Sequence, residues 1–274
     1  MRRTGRKRHL ASAQTGPFSV RFNTPLLLAA LVWLAKPLWA QVDIESLRRD
    51  DQAGFFGSVA IDLTLRAGNV ELFECGPELS LSYSRVEDTF IFIGSGDLGW
   101  EGKERFSNEA LAHLRYVRAV ASRLHGEAFG QVNYDRSRRL DFRGLVGGGI
   151  RWALIAPGES SFWLGSSLMF EHERNELTPA DDHAAQTSLV RWSNYLSADI
   201  ELGEAAQLAG TAYVQPAVRQ FDDYRVLWDV VLKVSITEAL SSTTSVAFQR
   251  DSDPLKGVAG SDFSLTTGLA LDWN

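Results

Sequence analysis

From about residue 54 onward the chain alternates apolar and polar residues with a period of two, again and again, with turn-forming residues between the segments. In RVLWDVVLKVS, residues 225–235, one face reads Val226, Trp228, Val230, Leu232 and Val234, and the other reads Arg225, Leu227, Asp229, Val231 and Lys233. In VRWSNYLSADIEL, residues 190–202, Val190, Trp192, Leu196, Ala198, Ile200 and Leu202 oppose Arg191, Ser193, Tyr195, Ser197, Asp199 and Glu201. DFSLTTGLALDW, residues 262–273, repeats the pattern. A period of two belongs to a strand with one apolar face, and no helical template fits it. About twelve such segments start near 55, 70, 88, 107, 123, 140, 160, 187, 205, 223, 240 and 262. The predicted fold class is all-β, an antiparallel up-and-down barrel.

Two further patterns choose a membrane barrel over a soluble sandwich. With the first strand leaving the periplasm, the even-numbered connections, near 86–88, 119–122, 156–160, 203–206 and 236–239, are short. The odd-numbered ones include GDLGWEGKER, HERNELTPADDHAAQ, PAVRQFDD and DSDPLKGVAGSD, which predict longer extracellular loops. Short turns below and long loops above are the asymmetry of outer-membrane barrels. Aromatic residues of the apolar face fall toward both strand ends: Phe55, Tyr83, Phe90, Tyr116, Trp152, Phe162 and Trp273 at one, Tyr134, Phe142, Phe170, Trp192, Trp228, Phe248 and Phe263 at the other. Rings of this kind favour the membrane–water interface. Beyond residue 40 no apolar stretch approaches the ~20 residues of a spanning helix, so any membrane span here must be a barrel.

The first forty residues have a different character. They carry seven Lys or Arg, no Asp or Glu, and an apolar run from Leu26 to Ala35, and they end in Ala40. This reads as a secretory signal peptide over 1–40, followed by a periplasmic segment 41–53 and a barrel over 54–274. Ten apolar residues rise only about 15 Å as a helix, too little for an anchor. Loss of seven positive charges moves the formal net charge from −6 to −13, which argues against a nucleic-acid partner. Cys75 is the single cysteine, so neither an internal disulfide nor a Cys-pair zinc site is available.

The sequence also resembles the salt-induced outer-membrane proteins of Gram-negative bacteria, a family of unknown function. The stretches that carry the likeness are VDIESLR (42–48), GFFGSVAIDLTLRAGNV (54–70), NEALAHLRYVR (108–118), GEAFGQVNYDRSRRLDFRGLVGGGIRW (126–152), FDDYRVLWDVVLKVSIT (221–237) and SLTTGLALDW (264–273). The resemblance implies an outer-membrane location and an osmotic role, and brings no catalytic residue. The partners that follow are outer-membrane lipid, lipopolysaccharide and, during biogenesis, the barrel-assembly machinery.

The face opposite the apolar one is rich in ionisable groups. Candidate lumen residues are Asp62, His113, Arg115, Glu127, Asp141, Arg143, Arg151, Arg191, Asp199, Arg225, Asp229 and Lys233, with Asp135, Glu171 and Glu201 on the same face. They either pair across strands in a narrow lumen, as Arg115 opposite Glu127 would, or line a water-filled, charge-selective path. Twelve strands lie between filled small barrels and open porins. The expected function is a passive small-solute pore or an osmotic-stress envelope protein. The alternative is a filled, structural or adhesive barrel acting through its loops.

No catalytic residue, metal or cofactor is expected, and a rim-sited hydrolase is the less favoured alternative. Ser166 and His172 lie on one strand about 20 Å apart and form no dyad. Asp181, Asp182 and His183 read as solvated loop residues, with cation binding as the alternative. Four glycines in GLVGGG, residues 144–149, match neither a dinucleotide fingerprint nor a P-loop, and are read as bare backbone in a barrel wall.

Overall fold

A computed structural model describes residues 53–66, 71–155 and 160–273. Residues 1–52, 67–70, 156–159 and 274 lie outside the described residues, and with them the expected signal peptide and nearly all of the expected periplasmic segment. The strands are β1 (Gly54–Arg66), β2 (Leu72–Ser84), β3 (Asp88–Glu101), β4 (Glu104–Ala121), β5 (Leu124–Asp135), β6 (Leu140–Ile155), β7 (Ser160–Asn175), β8 (Gln186–Glu201), β9 (Ala206–Ala217), β10 (Gln220–Ser235), β11 (Leu240–Asp251) and β12 (Ser261–Trp273). Each start lies close to the position read from the alternation. Every strand pairs antiparallel with its sequence neighbours, and β12 returns to β1 to close the barrel. The closing seam is short: Gly57–Ile61 pair with Leu269–Trp273.

Alternation becomes two faces. Outward side chains such as Leu63, Val146, Ile150, Leu168, Phe170 and Leu271 are exposed, while their neighbours in sequence are covered. An apolar wall of this extent around a whole molecule is a surface for hydrocarbon rather than water. Cross-strand register sets Phe55, Tyr83, Phe90 and Tyr116 side by side at the end that carries the N-terminus of β1. The Phe90 and Tyr116 rings lie 4.9 Å apart.

The bore is lopsided. Inward positions of β1, β2, β11 and β12 are mostly Ser, Thr, Gly and Ala, including Ser58, Ala60, Ser80, Ser82, Ser245, Thr266 and Gly268. Those of β4–β8 include Arg115, Arg151, Trp163 and Met169, almost wholly buried, interleaved with Gly147, Gly149, Gly165, Ser193 and Ser197.

Two of the four expected long loops are present, 176–185 and 252–260. GDLGWEGKER instead supplies the ends of β3 and β4 around the two-residue turn Gly102–Lys103, and PAVRQFDD turns at Val218–Arg219. Gly102 takes φ +59°, the left-handed geometry that a two-residue hairpin needs. Charge and glycine therefore mark strand ends continuing past the apolar band as readily as they mark loops.

An ion-paired lumen as the candidate functional site

Strand parity aims the ionisable groups inward, and the curvature of a twelve-strand wall brings nonadjacent strands within reach of one another. Three arginines converge on Glu171 of β7. Arg143 of β6 donates from Nε at 2.7 Å, Arg191 of β8 at 2.9 Å and Arg225 of β10 at 2.7 Å. Arg225 also reaches Glu173 at 2.8 Å and Asp251 of β11 at 3.2 Å, while Arg191 meets Asp223 at 2.9 Å. The Glu171 side chain is 2 % exposed. Burying one carboxylate is tolerable because several cations and hydrogen bonds compensate it; an unpaired charge there would cost several kcal/mol.

A second layer lies toward the terminal end of the barrel. Arg115 of β4 and Glu127 of β5 pair at 3.2 Å with both side chains fully buried. They are diagonal neighbours rather than direct ones, since Arg115 faces Phe129 in the register. Tyr195 of β8 donates to Glu127 at 2.8 Å, a chord that skips two strands. Arg115 stacks 5.1 Å from the Phe129 ring centre, and His113 lies 3.1 Å from Gln131. Arg151 rests 3.8 Å over Trp163.

The other candidates pair with the next strand or the one beyond it. Asp199 accepts from Gln207 at 2.9 Å, Asp229 from Ser245 at 3.2 Å, and Lys233 meets Asp272 at 2.7 Å. Asp62 of β1 lies so close to Gly268 of β12 that a side chain there would collide with its carboxylate. Asp141 departs from the expected inward face. The β6–β7 register shifts between Leu140 and Phe142, which makes Asp141 the extra residue of a bulge. It pairs at the rim with Arg136 and, at 3.9 Å, with Arg174, both more than half exposed.

Above the lumen, three connections meet on Asp181. Arg139 of the β5–β6 turn donates to it at 2.7 and 3.2 Å, Thr178 from its amide at 2.7 Å and its hydroxyl at 2.8 Å, and the Lys256 amide at 2.9 Å. These donors hold the Asp181 carboxyl well below the usual carboxylate range. Arg139 also donates to the Lys256 carbonyl at 2.6 Å, and itself sits at φ +58°. A non-glycine residue in this region is strained unless its surroundings over-determine it, and here two loops do so. Arg138 meets Asp262 of β12 at 3.1 Å, on the far side of the barrel from β6. A cavity of about 140 Å³ lies beneath this clamp, lined by Arg143, Glu173, Arg191, Arg225 and Leu255 among others.

Asp181 is held by Arg139, Asp182 is largely exposed with Lys256 beside it, and His183 lies 3.2 Å from Asp253. No group of three or more His, Cys, Asp or Glu among the described residues is arranged to hold a metal. Nothing local in the sequence points to the clamp, because Arg139 and Lys256 are 117 residues apart.

Comparison with solved structures finds outer-membrane barrels. The chain is similar to a NanC porin (8 % identity, TM-score 0.48, covering 79 % of this chain and 98 % of that one). It is similar to the translocator domain of autotransporter NalP from Neisseria meningitidis (12 %, 0.45, 81 % and 90 %) and to a KdgM porin (12 %, 0.43, 81 % and 100 %). Comparison with curated proteins finds no match. A family model matches residues 63–273, from the last turn-side residues of β1 through the end of β12, and the chain belongs to that family, described as "Protein of unknown function, DUF481".

Proposed function

We propose that this protein is an outer-membrane barrel of the Gram-negative envelope that works as a narrow small-solute pore, closed at rest by its own ion pairs and used in osmotic adjustment. The observation that carries the reading is Glu171, held by arginines from β6, β8 and β10 in a bore whose wall on β1, β2, β11 and β12 combines small residues with carboxylates such as Asp62 and Glu78. Each arginine has a second carboxylate within reach, Glu173, Asp223 or Asp251, so a chord can exchange partners without leaving a charge unpaired, whereas an apolar plug must unpack. Lipid and lipopolysaccharide would contact the outer wall, the assembly machinery would insert the barrel, and no catalytic step is assigned.

A second reading is a permanently sealed barrel acting through its loops, and the clamp around Asp181 favours it. Liposome swelling separates the two. Proteoliposomes of the refolded protein should admit small solutes slowly, and Arg225→Ser should speed their entry. No swelling with either protein would leave the sealed barrel.

A further inference from the structure

The outer wall of β7 and β8 carries hydrogen-bonding groups where hydrocarbon should be. Outward register pairs run Phe162–Ala198, Leu164–Leu196, Ser166–Asn194, Leu168–Trp192 and Phe170–Val190, so the Ser166–Asn194 pair has two apolar pairs on either side. Ser166 donates to Asn194 at 2.9 Å and accepts from the Trp192 indole at 2.9 Å, while Asn194 donates to the Trp192 carbonyl at 3.3 Å. A carboxamide has two donor hydrogens, and among the described residues these bonds use one. Lipid tails offer nothing to the other, and polar side chains inside a membrane characteristically join protein to protein.

The neighbouring wall has a complementary shape. Ala112, Gly130 and Gly144 form the floor of a shallow outward depression of about 540 Å³ between Phe92 and Phe170. Beside it stands the ridge of Leu168, Phe170 and Trp192. A ridge next to a depression on one wall is self-complementary under a two-fold axis along the membrane normal. Each copy then seats its ridge in the depression of the other, and small residues permit close approach. A carboxamide is self-complementary too, able to donate to and accept from its symmetry mate.

We infer that the outer face of β4–β8 is a homodimer interface within the membrane, with Asn194 as its polar contact. The occupant is a second copy of this chain. The test uses the full-length protein extracted from membranes in mild detergent, with native mass spectrometry giving the oligomeric state. The wild type should be a dimer, and Asn194→Leu should weaken dimerisation by about tenfold while keeping heat-modifiable gel mobility, the sign of an intact barrel. On a Cys75→Ser background, chains with Val132→Cys should cross-link in membranes to chains with Leu168→Cys, and not to chains with Leu265→Cys on the opposite wall. A monomeric wild type, a dimer that Asn194→Leu leaves intact, or equal cross-linking at Leu265 would overturn the proposal.

Discussion

Arg225 of β10 reaches Glu171 of β7 at 2.7 Å, across a chord of the barrel that skips β8 and β9. Wall contacts between adjacent strands would stabilise any barrel, open or shut. A chord reduces the bore itself, and this one shares its carboxylate with Arg143 and Arg191.

Glu171→Gln should therefore destabilise the barrel by about 3–5 kcal/mol, the cost of leaving buried guanidinium groups without their shared anion. Equilibrium urea unfolding in detergent, followed by tryptophan fluorescence, measures it. A change within experimental scatter would mean that Glu173, Asp223 and Asp251 carry the arginines without it.

The clamp should respond to acid. A carboxylate with a depressed value gives stability that is present above its unfolded value, near 3.8 for Asp181, and is lost as pH falls through the folded one. Arg139, Lys256 and the Thr178 donors face Asp181. Near neutral pH, Asp181→Asn should raise hydrogen exchange in 176–185 and 252–260 several-fold over wild type. That difference should shrink steadily below about pH 4 as the wild type protonates. A difference that persists undiminished at the lowest pH would show that the loops are held by something else.

Glycine positions in β6 should not be equivalent. A Cβ at Gly149 would run into the Ser166 carbonyl and the Ser167 side chain, and one at Gly147 would come 2.6 Å from Phe129 and 2.8 Å from the Leu168 carbonyl. Facing outward, Gly148 has the Glu127 carbonyl at 3.1 Å as its nearest neighbour. Gly149→Val should cost at least about 3 kcal/mol by overpacking against backbone, and Gly148→Ala about 1 kcal/mol or less. Heat-modifiable mobility of the two refolded variants reads the contrast, and equal tolerance would count against the close packing of β6 on β7.

Most of the wall was legible in sequence because the membrane enforces it locally: hydrocarbon selects one parity of each strand and the lumen the other. Arg115 with Glu127 was legible for the same reason, being strands joined by a tight turn. What stayed hidden depended on closure. Tyr195 meets Glu127 only once the sheet curls, and Arg139 meets Lys256 only once β12 has come round to β1. Asp141 misled because parity counts residues, and a single bulge between Leu140 and Phe142 resets the count. His172 shows another limit. Its partner at 2.8 Å is Ser188 on the adjacent strand, whereas Ser166, on the same strand as His172, bonds Asn194 and Trp192 instead.

The closed bore is tested most directly by single-channel recording in planar bilayers, comparing the wild type with the double variant Arg191→Ser, Arg225→Ser. The account predicts a wild type that is silent or opens in brief, small steps, and a variant with larger and longer openings at the same voltage. A wild type that conducts steadily, at the same level as the variant, would contradict it.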